Sequence, residues 1–185
     1  MPPLSFSHVG FFVFDLARME AFYTRLLGFT VTDRGVARGR DLVFLSRDPT
    51  EHHQIVLVAG RTAAETTVNQ ISFRLPSLEA LQEMAARVRA EPEASDIMGT
   101  DHGNSWSCYF RDPEGNRIEL FVDAPWYVTQ PRVEPLDLAR PAAEIVAATL
   151  EACRGDPSFR PVEEWRAELA LRLAAPEPVS SRPPS

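Results

Sequence analysis

His8-Val-Gly-Phe-Phe-Val-Phe-Asp-Leu16 reads as a strand that runs directly into a helix. Sixty-two residues on, Gln70-Ile-Ser-Phe-Arg-Leu-Pro-Ser-Leu78 reads the same way. Each copy closes in a β-rich stretch, His53-Gln-Ile-Val-Leu-Val58 in the first and Asn116-Arg-Ile-Glu-Leu-Phe121 in the second. Duplicated strand-first modules can place equivalent positions around one shared cavity. Here those positions are His8, Val56, Gln70 and Glu119: three candidate metal ligands and one blank.

Working outward, the first module reads as strand Leu4–Phe14, helix Leu16–Leu27, and strands Phe29–Asp33, Leu42–Ser46 and His53–Val58. In the helix, Leu16, Met19, Phe22, Tyr23, Leu26 and Leu27 recur at helical spacing and give one apolar face. Gly28 follows as the expected C-cap. A polar link from Gly60 to Thr67 leads to strand Val68–Leu75 and helix Ser77–Ala90, with Ser77 as N-cap. An irregular stretch to Gly103 is expected, then strands Trp106–Phe110 and Arg117–Val122. Asp112-Pro-Glu-Gly-Asn116 joins this last pair as a hairpin turn: Pro113 fixes φ, and Gly115 and Asn116 tolerate positive φ.

Composition changes at Asp123. Pro125, Pro131 and Pro135 keep the chain extended, and two helices follow, at about Pro141–Arg154 and Pro161–Ala174. Each is too short to stand alone, so both are expected to dock on the domain or on a second subunit. The expected architecture is α+β. Two βαβββ modules (about 4–60 and 68–123, in a domain of residues 1–123) form a cupped mixed sheet around a metal site. An extension (124–174) carries the two helices, and a disordered tail (175–185) follows.

The 185 residues carry a net charge of −7 with no basic stripe, which argues against nucleic acid as partner. All 19 cationic side chains are arginine, so Schiff-base chemistry and a phosphate-loop lysine are both excluded. The plain reading of that bias is genomic base composition. The two cysteines, Cys108 and Cys153, lie outside any metal-binding spacing and suit a reduced cytoplasmic protein. The N-terminus shows no signal-peptide pattern and no apolar run of membrane-spanning length, so no membrane partner is expected.

Alternation along the last strand sets Ile118, Leu120 and Val122 on one face and Arg117, Glu119, Phe121 and Asp123 on the other. A carboxylate on a central strand is costly to bury unless it is paired or bound to a metal, which singles out Glu119. The alternative for Glu119 is a salt bridge to an arginine. For Gln70 it is a hydrogen-bonded cavity residue that never touches metal. Only four histidines occur, His8, His52, His53 and His102, and each falls at a module edge. Phe6, Phe12, Trp106 and Phe121 are either a flat lining for an aromatic ring or ordinary core.

Both modules resemble the βαβββ unit of the vicinal oxygen chelate superfamily, which includes glyoxalase I, antibiotic-resistance proteins and extradiol ring-cleaving dioxygenases. The resemblance covers about residues 4–123. Its most specific segment runs from His102-Gly-Asn-Ser-Trp-Ser-Cys-Tyr-Phe-Arg through Asp-Pro-Glu-Gly-Asn-Arg-Ile-Glu119, and it is most similar to the catalytic module of type I extradiol dioxygenases. That resemblance implies His8, Gln70 and Glu119 as the metal positions. It implies Tyr109 as the tyrosine that bonds a substrate or ligand oxygen, His102 as a histidine close to the substrate ring, and His53 as acid–base. Simple alternation favours His52 over His53 on the Val56 face, so the two indications conflict. Gln70 is a departure, because the dioxygenase pattern has a second histidine there, and two histidines with one carboxylate is the usual non-haem Fe(II) set. Val56 stands where glyoxalases that use a glutamine ligand have a fourth protein ligand.

The resemblance therefore implies Fe(II), with Mn, Ni, Zn or another divalent metal as substitutes. A small aromatic diol and O2 are the implied partners, with a homodimer as the assembly. The implied function is extradiol-type ring cleavage. The alternatives are a metal-dependent isomerase or lyase that uses no O2, and a small-aromatic binding or resistance protein.

Overall fold

The computed structural model describes residues 4–174. The expected disordered tail falls on residues 175–185, outside the described residues. In chain order the first module comprises β1 (Val9–Val13), α1 (Leu16–Arg25), β2 (Thr30–Ala37), β3 (Arg40–Ser46) and β4 (Ile55–Ala59). The second comprises β5 (Ile71–Arg74), α2 (Leu78–Ala90), β6 (Ser95–Asp101), β7 (Ser105–Arg111) and β8 (Arg117–Asp123). The extension adds β9 (Trp126–Tyr127), β10 (Glu134–Pro135), α3 (Ala142–Cys153), β11 (Arg160–Pro161) and α4 (Val162–Ala174).

Two mixed sheets form, ordered β1-β4-β3-β2 and β10-β6-β7-β8-β5, with a short β11-β9 pair beside them. In each module the first strand pairs in parallel with the last, and the registers coincide. Gly10 lies opposite Val56 in the first module and Ser72 opposite Glu119 in the second. His8 and Gln70 each sit one residue ahead of those strands. The repeat read from sequence is therefore a repeat of hydrogen-bond register as well as of pattern.

α1 begins at Asp15, whose carboxylate accepts the Arg18 N–H at 2.9 Å. Beyond its end Phe29 N–H reaches back to Tyr23 O at 3.2 Å, and Gly28 takes φ +71°, a conformation costly for any residue with a Cβ. Met19, Phe22 and Tyr23 are buried, as the apolar stripe requires. In α2 the Ser77 hydroxyl caps Ala80 N–H at 3.2 Å, and Leu78, Leu81, Ala85 and Val88 are buried. The helices lie together. Arg25 grips the Glu91 carboxylate at 2.8 and 3.1 Å, and Arg87 caps the α1 carbonyls of Arg25 and Leu26 at 3.2 and 3.1 Å.

Two expectations need correction. The stretch before Gly103 holds a full strand, β6. Its signal is weak because a bulge falls between Ser95 and Met98, Asp96 takes φ +51°, and Gly99 interrupts the pattern. Gly99 is required, since an added Cβ would lie 2.3 Å from Leu136 O. The opening strand is shorter than Leu4–Phe14, starting at Val9. Of the two C-terminal helices, α3 packs on the domain through Ile145, Thr149 and Cys153, and α4, which buries no residue, leans on Tyr127 through Trp165, stacked at 5.0 Å. No helix among the described residues is long and apolar enough to cross a membrane.

Candidate functional site

Glu119 lies on β8 between its register partners Ser72 on β5 and Tyr109 on β7, and is 8% exposed. One carboxylate oxygen accepts from Tyr109 Oη at 2.5 Å and Ser107 Oγ at 2.8 Å. The other accepts from Ser72 Oγ at 2.5 Å and Gln70 Nε2 at 2.7 Å. All four donors are neutral. Among the described residues no arginine forms an ion pair with Glu119; the sole ionisable nitrogen within reach is His102 Nε2, at 4.0 Å. The arginine salt bridge considered for Glu119 is thus absent, and a buried anion stands without a formal positive partner.

Burial, followed by the hydrogen bond from its hydroxyl to Glu119, pushes the Tyr109 phenol up to about 12. Beyond it, His102 Nε2 lies 3.1 Å from Tyr109 Oη, and His102 Nδ1 lies 2.7 Å from Arg132 O. A carbonyl only accepts, so Nδ1 carries a proton. Tyr109 has one proton and two contacts to fill. Satisfying both takes one proton more than neutral His102, Tyr109 and an ionised Glu119 together hold. Arg132 O, His102, Tyr109 and Glu119 thus form one continuous hydrogen-bonded row.

The first module contributes a separate group. His8 precedes β1; its Nδ1 lies 3.3 Å from Ser7 Oγ, and its ring centroid is 4.2 Å from that of His53. His52 turns toward the rim, with Nε2 3.4 Å from Asp33 Oδ2 and Nδ1 2.9 Å from His53 Nδ1. The structure thus places His53, and not His52, against His8. β4 begins at Ile55, so strict alternation does not extend back to either histidine. Burial first, and then the neighbouring His8 and His52, hold the His53 imidazole below its ordinary value, which keeps it neutral and able to accept a proton. Val56 is buried on β4 opposite Gly10 and offers no ligand atom.

A cavity of about 800 Å³ opens at the module junction. It is lined by Phe6, Ser7 and Gln54 from the first module and by Gln70, Ser72 and Phe73 from the second. Its size suits a small organic ligand. Trp106 takes no part in this face. Alternation on β7 turns Trp106 toward the extension, where its indole N–H donates to Thr149 Oγ1 at 2.8 Å. Phe121 lies beneath the Arg74 guanidinium at 5.0 Å, and Phe12 beneath Arg40, also at 5.0 Å.

The residues present fit a divalent metal in part. Among the described residues no three His, Cys, Asp or Glu side chains cluster as a metal site. His8 Nε2 has no hydrogen-bond partner among the described residues, and Glu119 is a buried anion. A nitrogen and a carboxylate, with an amide oxygen from Gln70, form a hard donor set that suits Fe(II), Mn, Ni or Zn. Gln70 now points its N–H at Glu119, while its oxygen accepts from Asn69 Nδ2 at 3.2 Å. Its amide must turn over to contribute that oxygen.

Several residues of consequence escaped sequence reading. Ser72 and Ser107 complete the Glu119 shell; their positions on the polar faces of β5 and β7 were the available signal. Glu114, read only as part of a turn, is 3% exposed and ties the modules together. Its carboxylate accepts Phe14 N–H at 2.8 and 2.9 Å and Asp15 N–H at 2.8 Å, and it faces Arg61 at 3.6 Å.

The chain resembles proteins of known name. "Biphenyl-2,3-diol 1,2-dioxygenase 3" of Rhodococcus globerulus is 30% identical over 116 residues, covering 59% of this chain and 58% of that protein. "Metapyrocatechase" of Geobacillus stearothermophilus is 24% identical over 136 residues, covering 74% of this chain and 40% of that protein. The chain thus spans about half the length of the curated relatives it matches. A solved glyoxylase/bleomycin resistance protein/dioxygenase domain from Frankia sp. EAN1pec superposes with a TM-score of 0.57 at 21% identity, covering 66% of this chain and 99% of that one. The family model matches residues 5–120. With its paired modules, matching registers and shared cavity, the chain belongs to the Glyoxalase/Bleomycin resistance protein/Dioxygenase superfamily.

Proposed function

We propose that this chain is a metal-dependent, extradiol-type dioxygenase that opens the ring of a catechol-like diol. The observation that carries the reading is Glu119: a buried carboxylate with only neutral donors, continued by Tyr109 and His102 as a hydrogen-bonded row. The dioxygenase names of the two curated relatives support it. His8, Glu119 and the turned-over Gln70 amide would hold the metal, with Fe(II) first among the candidates. When bound, the metal supplies an electron path between a chelated diol and O2, whose two oxygen atoms both enter the ring-opened product.

This chain's own residues do the rest. His53, kept neutral by its surroundings, accepts a proton from one diol hydroxyl. Tyr109, and His102 once its Nε2 has taken up a proton, donate to oxygen atoms that gain negative charge. Phe6 and Phe73 offer apolar surface to the ring at the junction cavity.

Anaerobic loading with Fe(II), followed by a catechol panel and O2, tests the reading. A yellow ring-fission product with one O2 consumed per diol is the expected result. Turnover of a chelating substrate without O2 uptake would replace the proposal with a metal-dependent isomerase or lyase. Glutamine at position 70, where the dioxygenase pattern has a second histidine, favours that second reading. Gln70→His supplies the missing imidazole. It should tighten Fe(II) binding more than about tenfold, or 1.4 kcal/mol, by anaerobic titration calorimetry. No change would remove position 70 from the ligand set.

A further inference from the structure

The segment that carries His102 is enclosed by chain lying outside the family match, which ends at residue 120. Trp126 Nε1 donates to Gly103 O at 2.7 Å, and Ala124 N–H reaches Asn104 O at 2.9 Å. Gly103 has φ +75°, and an added Cβ would meet Val128 Cγ2 at 2.8 Å, Arg132 Cδ at 2.9 Å and Cys153 Sγ at 3.1 Å. One face of this turn is thus closed by the extension, with no room for a side chain.

The closure reaches the His102 ring through Gln130. Its amide nitrogen donates to His102 O at 2.7 Å, and its amide oxygen accepts Arg132 N–H at 3.1 Å. One side chain therefore ties the backbone of His102 to the backbone of Arg132. Arg132 in turn anchors to α3, where its guanidinium donates to Ala152 O at 3.3 Å. The Arg132 carbonyl is then delivered 2.7 Å from His102 Nδ1. In a neutral imidazole that bond fixes the proton on Nδ1 and leaves Nε2, the nitrogen facing Tyr109, as an acceptor.

We infer that the extension, residues 124–153, is an orienting clamp for His102, and that Gln130 is its positioning residue. The clamp fixes which ring nitrogen faces Tyr109. Its consequence for turnover rests on the proposed reaction; its consequence for the imidazole does not.

The full chain, labelled with ¹⁵N and free of metal, provides the test. Long-range ¹H–¹⁵N spectra recorded where His102 is neutral should show the Nδ1–H tautomer. Gln130→Met keeps the side-chain length, removes the hydrogen bonds to His102 O, Val128 O and Arg132 N–H, and alters an exposed position, so the fold is retained. It should yield a mixture of tautomers. A wild-type Nε2–H tautomer, or a folded Gln130→Met protein with an unaltered His102 spectrum, overturns the clamp. With a turned-over diol, Gln130→Met should lower kcat about 10–100-fold at unchanged KM, the range for residues that orient a reacting group. A shifted tautomer with unchanged kcat overturns the positioning role while leaving the spectral result intact, and absence of any turnover counts against the proposed reaction alone.

Discussion

Glu119→Ala is expected to leave the folded protein unable to hold the divalent metal proposed for it. The carboxylate is the one full negative charge in the Glu119 cluster, and its four hydrogen-bond partners are neutral. Losing it leaves His8 nitrogen and an amide oxygen, a neutral pair that binds a hard cation poorly. Metal affinity should fall beyond about 100-fold, past the range typical of residues that only support a ligand. Metal content after anaerobic loading and desalting, together with binding isotherms, reads this directly; retained stoichiometry would sink the site. Stability moves less predictably in sign, because two effects oppose. Four donors lose their acceptor, each at about 1–3 kcal/mol if left unsatisfied. The variant also removes a buried charge that has no counterion. Glu119→Gln separates these effects: it preserves volume and one acceptor oxygen while removing the charge. Both variants should lose the metal, and the glutamine variant should stay closer to wild-type stability.

What the sequence disclosed and what it hid follow from the range of the forces involved. Period-two and helical patterns are local, so α1, α2 and most strands were legible, as was the matching of Val56 with Glu119. Register then confirmed that correspondence through Gly10–Val56 and Ser72–Glu119. β6 was hidden because its pairing is set by β7 and β10 rather than by its own composition. The choice between His52 and His53 turned on where β4 begins, a property of pairing with β1 and β3. Trp106 was left open between ring lining and core although its own alternation with Ser107 and Tyr109 places it on the opposite face. The roles of Glu114 and of the Arg132 carbonyl were illegible for a different reason. Each acts across a long stretch of chain, about 100 residues from Glu114 to Phe14, and a backbone carbonyl has no residue signature at all.

That long reach makes Glu114 the most consequential residue outside the Glu119 cluster. It lies in the turn Asp112-Pro-Glu-Gly-Asn116, whose Asp112 is 2% exposed and accepts Tyr23 Oη from α1 at 3.2 Å. The turn thus holds the first module at two points, through Asp112 to α1 and through Glu114 to the end of β1. Glu114→Ala would leave the Arg61 guanidinium, its side chain 7% exposed, with carbonyl acceptors but no carboxylate, and the Phe14 and Asp15 N–H groups without their acceptor. Breaking a buried pair by deleting one partner costs about 3–5 kcal/mol, against a total stability of about 5–15 kcal/mol for a domain. A fall in Tm of about 10 °C is expected at roughly 2–4 °C per kcal/mol for a chain of this size. Glu114→Gln keeps an oxygen for the two N–H groups and loses only the charge opposite Arg61, so it should lie between wild type and Glu114→Ala. Combining Glu114→Gln with Arg61→Met, and comparing the pair with each single variant, gives the Glu114–Arg61 coupling energy from the double-mutant cycle. A Glu114→Ala protein melting within about 2 °C of wild type would mean that the modules are held by their packed helices alone.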